Sequence, residues 1–438
     1  MYLLYSLATF VFFIVASPYF AYQAIFHKKY FGSLAQRLGY LPVSLNLDRD
    51  ESIWVHAVSV GEVLTARPLI TDLRRYYPDL KILLSTTTLT GQQLARRDVR
   101  DVDGVFYFPF DWAFAVCRTL DVVRPKLFLM VETEIWPNLL RECRRRGVKT
   151  VLVNGRVSFR SYPRYRLVRS LFKHVLKDID LFCVQDDEAA QRLLTLGASP
   201  DHLKLTGSLK FDALDASLTK GRGRVLRFFR MSSNRQVIIA GSTLKGEEKA
   251  VVRAFNRIRS SGSSALLVLA PRHPERFDYV ERLCRHEGLA VVRRSNLPID
   301  SEPRADAVVL DTVGELAELY QAATVVFVGG SLSSWGGHNI LEPAIFGRPI
   351  IFGPFMQNFS EIAETFLRNE AAVQVQNEHE FTEAVVNLMA DPVYRARLGA
   401  GARALVEANR GAKDKTIEAI TSSFPARGAV VRAFRVVR

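Results

Sequence analysis

Val328-Gly-Gly-Ser-Leu-Ser-Ser-Trp-Gly-Gly-His-Asn-Ile-Leu-Glu-Pro343 follows an apolar run that begins at Thr324. Thr324-Val-Val-Phe-Val328 predicts a strand buried on both faces, as in a parallel sheet. The glycine pair after it lets the backbone turn sharply and lets a ligand approach without side-chain interference. A helix is predicted to begin near Asn339, with Asn339 as N-cap and Glu342 three residues on as its capping-box partner. Strand, glycine turn and helix start gather free N–H groups and a positive dipole end. Gly329, Gly330, Ser331, Gly336, Gly337 and His338 are accordingly predicted to form a phosphate cradle. The plainer alternative is a turn leading into a capped helix, but two glycine pairs with Ser331, His338, Asn339 and Glu342 exceed what such a turn needs.

The same rhythm extends in both directions. Short apolar runs alternate with amphipathic stretches from Glu51 onward, the pattern of doubly wound α/β sheets. Strands are predicted at 53–58, 81–84, 105–108, 126–131, 150–153, 181–184 and 203–205. The rhythm lapses between Asp212 and Gln236, where Gly, Ser, Lys and Arg accumulate. It resumes at 237–240, 265–269, 290–292, 307–310, 324–328, 349–352 and 372–375. The predicted architecture is therefore α/β with two Rossmann-like domains facing a central cleft. Their spans are 27–215 and 236–410, joined by a linker at 216–235, with a C-terminal helix and basic tail at 411–438. Ligands are expected at the carboxyl ends of the strands.

Residues 1–26 carry no charged side chain, and that length suffices to cross a hydrocarbon layer of ~30 Å. They are predicted to be a membrane anchor, spanning or lying in the interface, because Pro18 would kink a spanning helix. Lys28, Lys29 and Arg37 follow directly, which by the positive-inside rule keeps the remainder cytoplasmic. A net charge of +14 suits nucleic acid, an anionic membrane or acidic substrates. No nucleic-acid motif or aromatic-basic interleaving supports the first. The four cysteines, Cys117, Cys143, Cys183 and Cys284, show no paired metal-ligand spacing, so neither a zinc site nor a disulfide framework is expected.

Several strand ends carry polar residues. His56-Ala-Val-Ser-Val-Gly-Glu62 leads from the first strand into a helix, making Glu62 either a dipole-complementing carboxylate or a general base. Glu132 and Glu134 close another strand beside Trp136-Pro137, and Lys210 follows the last strand of the first domain, suited to an anion. In the second domain Arg272 offers a planar fork for phosphate or carboxylate, and Gly314 and Glu315 could hold a ribose or base edge. Arg160 to Lys177 is a cationic amphipathic stretch, facing phospholipid or a phosphorylated acceptor, or else packing its apolar face on the domain.

Taken together, Trp54-Val-His-Ala-Val-Ser-Val-Gly-Glu62, Glu132-Thr-Glu-Ile-Trp-Pro137, Asn154-Gly-Arg156, Thr206-Gly-Ser-Leu-Lys-Phe-Asp212, Ala240-Gly-Ser-Thr243, Pro271-Arg272, Gly314-Glu315 and Gly329 through Pro343 resemble the bacterial 3-deoxy-D-manno-octulosonic acid (Kdo) transferases specific for lipid IVA, glycosyltransferase family 30. The resemblance implies a GT-B fold and inverting transfer of Kdo from CMP-Kdo to lipid IVA in lipopolysaccharide assembly. The site would be the cytoplasmic face of the bacterial inner membrane. It implies Glu62 as proton acceptor and Glu132 and Lys210 as transition-state stabilisers. It implies donor contacts at Pro271, Arg272, Val313, Gly314, Glu315, Asn339, Ile340, Leu341 and Glu342. Ser208 stands where the family often has Asn, and Ile340 where Pro is common. No Asp-x-Asp pair stands where it would suggest a metal-bound nucleotide, so transfer without metal or cofactor is expected. The competing expectations are a GT-B lipid glycosyltransferase using a UDP-sugar and a nucleotide-sugar epimerase.

Overall fold

The computed structural model describes residues 2, 5–11, 13–15, 31–157, 161–214, 235–297 and 302–425. All of the predicted linker except Arg235, the rest of the predicted anchor, and residues 426–438 lie outside the described residues. The chain divides into two compact units. One comprises the residues up to Ala213 together with those from Arg410 onward, and the other runs from Leu214 to Asn409.

Seven parallel strands form the sheet of the first unit: β1 (Ser52–His56), β2 (Lys81–Thr86), β3 (Gly104–Tyr107), β4 (Pro125–Val131), β5 (Lys149–Gly155), β6 (Leu181–Val184) and β7 (Leu203–Leu205). Their order is β3-β2-β1-β4-β5-β6-β7. Each apolar run is buried from both sides, which is why it carries no polar alternation. Trp54, Phe128, Met130 and Leu152 belong to one face, while Ile53, Val55, Leu129, Val131 and Val153 belong to the other. Trp54 is fully buried and donates its indole N–H to Ser85 Oγ at 2.8 Å. Its one polar atom is thereby satisfied inside the core.

The second unit repeats the plan with β8 (Val237–Thr243), β9 (Leu266–Pro271), β10 (Val291–Arg293), β11 (Ala307–Val309), β12 (Val325–Val328), β13 (Ile350–Phe352) and β14 (Val373–Gln374), ordered β10-β11-β9-β8-β12-β13-β14. Every predicted strand is present, within a few residues at its ends. In each sheet the winding direction reverses beside the first strand, between β1 and β4 and between β8 and β12. Those switch points are where a doubly wound sheet opens a crevice at its carboxyl edge.

Two features were not legible beforehand. The C-terminal helix Ala412–Ser423 returns to the first unit and adds Ala412, Ile417 and Ile420 to one face of its core. Asp212 fixes that return, its carboxylate accepting the N–H groups of Gly411 at 2.9 Å and Lys413 at 2.7 Å. At the other terminus, residues 5–11 and 13–15 are helical and lie along the first unit. Tyr2 donates to Asp178 at 2.6 Å, Ser6 to Asn138 at 3.2 Å, and Phe13 meets Trp112 edge-on at 4.9 Å. Among the described residues no helix is long and apolar enough to cross a membrane.

Asp212→Ala strips two N–H acceptors from the start of the C-terminal helix and is expected to destabilise the first unit by about 1–2 kcal/mol. A lower urea midpoint together with earlier proteolytic loss of residues beyond 410 would register this.

Candidate functional site

Within the first unit, polar groups converge at the carboxyl ends of β1, β4 and β5. Helix Val60–Tyr76 starts with Ser59 as N-cap and Glu62 in its first turn. The Glu62 carboxylate accepts the N–H of Val58 at 2.8 Å and the hydroxyl of Ser59 at 2.9 Å, a capping arrangement. Burial, and next the nearby charge of Glu132, push its pKa up to about 7. The group thus fills both roles left open by the sequence, capping its helix and holding the protonation poise of a base at neutral pH.

Glu132 follows β4 with a left-handed backbone, φ 62°, which is uncommon for a residue with a side chain and collects at functional sites. Its carboxylate meets Arg156 Nε and Nη2 at 3.0 Å and Lys210 Nζ at 3.1 Å. Next to it, Glu134 accepts the Trp136 indole N–H at 3.0 Å and lies 3.8 Å from His56 Nε2. Asn154, at the end of β5, also has a positive φ of 54° and accepts the Leu209 N–H at 2.9 Å. That bond anchors the loop that carries Lys210. The structure therefore brings Glu62, Glu132 and Lys210 together as expected, and adds Arg156. The Asn154-Gly-Arg156 stretch held that cation, but no spacing rule in a sequence pairs it with a residue 24 positions earlier.

The glycine turn of the second unit departs from expectation. Gly329 N–H donates to Gly241 O at 2.8 Å. The amides of Gly330, Ser331 and Leu332 donate to the Glu247 carboxylate at 2.7, 2.9 and 2.9 Å. Glu247 is fully buried, so the anion in this cradle is the chain's own. Ser331 is also fully buried, its hydroxyl accepting the Gly353 N–H at 2.8 Å. The second glycine pair serves close packing, since a Cβ on Gly336 would lie 2.5 Å from Asn358 Nδ2 and one on Gly337 2.3 Å from Met356 Sδ. The predicted helix is short, Leu341–Ala344 with Ile340 as its N-cap, and so small a helix supplies little dipole. Asn339 Oδ1 accepts the Leu341 N–H at 3.1 Å, and its amide donates to Glu342 at 3.3 Å. The expected Asn339/Glu342 pairing is present one residue before the helix proper.

The remaining donor candidates lie on loops of the same carboxyl edge. Pro271 ends β9, and Arg272 is exposed with its N–H on Thr243 O at 3.0 Å. Val313 is 92% exposed and Gly314 has φ 93°. Glu315 is held by the Thr312 hydroxyl at 2.7 Å and by Arg294 Nε at 3.1 Å. Ile340 and Leu341 are buried, so any ligand would meet their backbone alone. Burial, then the charges of Arg272 and His273, depress the His338 pKa to about 4. Sequence reading grouped Glu247 with Glu248 and gave neither a task. In the structure Glu248 binds Arg276 through two contacts of 2.9 Å, while Glu247 fills the turn. The capping spacing between Leu244 and Glu247 was the one local clue, realised as an N–H bond of 2.9 Å.

Two doubly wound parallel sheets with carboxylates and cations at their carboxyl edges define the GT-B class of nucleotide-sugar enzymes. A UDP-GlcNAc 2-epimerase from Neisseria meningitidis shares the fold, with a TM-score of 0.57 over 85% of this chain and 100% of its own at 13% identity. The profile described as 3-Deoxy-D-manno-octulosonic-acid transferase (kdotransferase) matches residues 32–213. The 3-deoxy-D-manno-octulosonic acid transferase of Haemophilus influenzae is 34% identical over 392 residues, spanning 89% of this chain and 91% of that protein. The corresponding enzyme of Bordetella pertussis is 34% identical over 376 residues, spanning 84% and 86%. The chain belongs to the 3-deoxy-D-manno-octulosonic acid transferase family, and it is a glycosyltransferase that moves Kdo.

The raised pKa of Glu62 carries a stability consequence. Folding favours its neutral form, so the penalty is absent below the ordinary value of 4.5, grows as pH rises, and is complete above about 7. Glu62→Gln is therefore expected to raise stability by about 1–3 kcal/mol at pH 8 and to leave it nearly unchanged at pH 4.5. Denaturant midpoints of both proteins at the two pH values measure the difference.

Proposed function

We propose that this transferase takes Kdo from CMP-Kdo and attaches it to the lipid A precursor lipid IVA, with inversion at the anomeric carbon and Glu62 as general base. The observation that carries the reading is the Glu62 carboxyl, poised near neutrality on the first helix after β1. It would take the proton from an acceptor sugar hydroxyl as that oxygen attacks the anomeric carbon and CMP departs from the opposite side. In the same unit Lys210 and Arg156 compensate Glu132. That balance limits the local negative charge where an acceptor bearing phosphates must come close. In the second unit Arg272, Glu315 and the Asn339–Glu342 segment are assigned to CMP-Kdo, with Arg272 meeting the charge that accumulates on the leaving phosphate.

Placement at the cytoplasmic face of the inner membrane follows from the acceptor and is supported by the amino-terminal helix. Its docked side leaves Leu7, Phe10, Val11, Ile14 and Val15 exposed at 58, 49, 50, 54 and 73%. A run of apolar side chains directed into solvent on a protein of net charge +14 fits an anionic lipid surface. Replacing Phe10 and Ile14 by Glu is expected to reduce cosedimentation with phosphatidylglycerol vesicles at least severalfold, with no change in the melting transition.

Transfer of labelled Kdo from CMP-Kdo to lipid IVA in detergent micelles, with EDTA present, tests the chemistry. Wild type is expected to be active and Glu62→Gln to lose on the order of 10²–10⁴ in kcat, while kcat/KM of the wild type should rise with pH through an apparent pKa near 7. Inactivity with this pair combined with turnover of a UDP-sugar would overturn the donor assignment, and full activity in the variant would reduce Glu62 to a helix cap.

A further inference from the structure

The glycine turn after β12 has no amide to spare for a ligand at Gly329, Gly330 or Ser331, yet it holds one side chain with unspent hydrogen-bonding capacity. Gly330 is the pivot. Its N–H is on Glu247, its carbonyl accepts the Gly337 N–H at 2.8 Å, and its φ is 70°. One edge of the His338 ring rests on it. A Cβ at Gly330 would lie 3.0 Å from His338 Cδ2 and 3.1 Å from Nε2, so glycine is required for the ring to sit there.

His338 Nε2 is buried and has no hydrogen-bond partner. A neutral imidazole carries a single N–H, and leaving that N–H buried without an acceptor would cost the desolvation of a donor. The proton therefore belongs on Nδ1. That atom is the ring vertex across from the Cδ2–Nε2 bond, so it faces away from the turn. The ring as a whole is partly exposed and shares its surroundings with Arg272 and His273, whose charges help keep it neutral.

We propose that His338 receives the phosphate of the nucleotide donor through Nδ1–H, and that Glu247, as a permanent internal anion, holds the turn and the ring in that pose. This rests on the reading of the second unit as the CMP-sugar site. Arg272 supplies charge, which is long-ranged and weakly directional, while His338 supplies one fixed donor at a defined angle. A neutral donor of this kind does not titrate in the working pH range and does not compete with Glu342 for Arg272, which lowers the Glu342 pKa against the effect of its burial. Glu247 is the positioning residue, since it touches no ligand and acts through Gly330.

Calorimetric titration of the full chain with CMP and with cytidine, for wild type, His338→Ala, His338→Asn and His338→Gln, tests the proposal. Wild type should bind CMP more tightly than cytidine. His338→Ala should weaken CMP about tenfold or more and cytidine less than twofold, because a hydrogen bond to a charged group is lost and nothing else. The Asn amide nitrogen overlays Nδ1 and that of Gln overlays Nε2, so Asn should restore most of the CMP affinity and Gln should not. An equal loss for both ligands in a folded His338→Ala would make the ring structural, and unchanged CMP affinity would remove the contact. Rescue by Gln instead of Asn would overturn the assigned tautomer, and that pair still decides if the Ala variant fails to fold. Wild type binding CMP no more tightly than cytidine would overturn the phosphate site itself, and CMP binding no tighter than UMP or GMP would instead count against the donor reading.

Discussion

A parallel strand covered by helices on both faces has nowhere along its length to place a charge, because an unpaired ion in such a layer is strongly disfavoured. Every consequence for function follows from that constraint. In β1, β4, β8 and β12 the interior positions are apolar and buried almost without exception. Polar groups therefore enter where each strand runs out. The winding reverses between β1 and β4 and between β8 and β12, leaving those ends uncrossed by a connection. Glu62 and Glu132 follow the first pair of strands, and the Glu247-filled turn with His338 follows the second.

Concentrating carboxylates at one edge creates a charge problem that the first unit resolves unevenly. Glu132 is matched by Arg156 and Lys210, a pairing that holds it in place despite its left-handed backbone. Glu62 has no cation among its pKa determinants and is tied only to an amide and a hydroxyl. Hydrogen bonds to the ionised form pull its pKa down while burial and Glu132 push it up, and burial wins. A cation beside Glu62 would give a more stable protein and a weaker base. The arrangement is the familiar opposition between stability and activity, here confined to one carboxyl group.

The fold was legible because its signal is redundant. Apolar runs such as Phe128–Val131 and Val325–Val328 cannot be mistaken for half-exposed strands, and a break in their rhythm marks the boundary between units. The site was legible where one residue type at a strand end suffices, as for Glu62 and Arg272. It was not legible where a group's task depends on a partner far away in the chain. Gly329, Gly330 and Ser331 read as an open cradle because the carboxylate that fills it lies 83 positions earlier than Gly330. For the same reason nothing local announced that Ala412–Ser423 would return to the first unit, since its anchor, Asp212, precedes Gly411 by 199 positions.

The filled turn also bears on how a nucleotide can be held and released. Burial raises the Glu247 pKa while the amides of Leu244, Gly330, Ser331 and Leu332 lower it, so the N–H dipoles of this loop are spent on an anion that never leaves. A phosphate arriving nearby meets a turn whose positive potential is already cancelled. Its binding then depends on Arg272, which is exposed and therefore screened by solvent, and on a single oriented donor at His338. Such a site is weaker for the ground-state nucleotide than an open nest of amides would be. That weakness suits a transferase whose leaving group must depart in every cycle, because tight binding of donor and product alike lowers KM without helping turnover. The rigid turn keeps the His338 donor oriented, so less of its interaction is lost to ordering when charge develops on the departing phosphate.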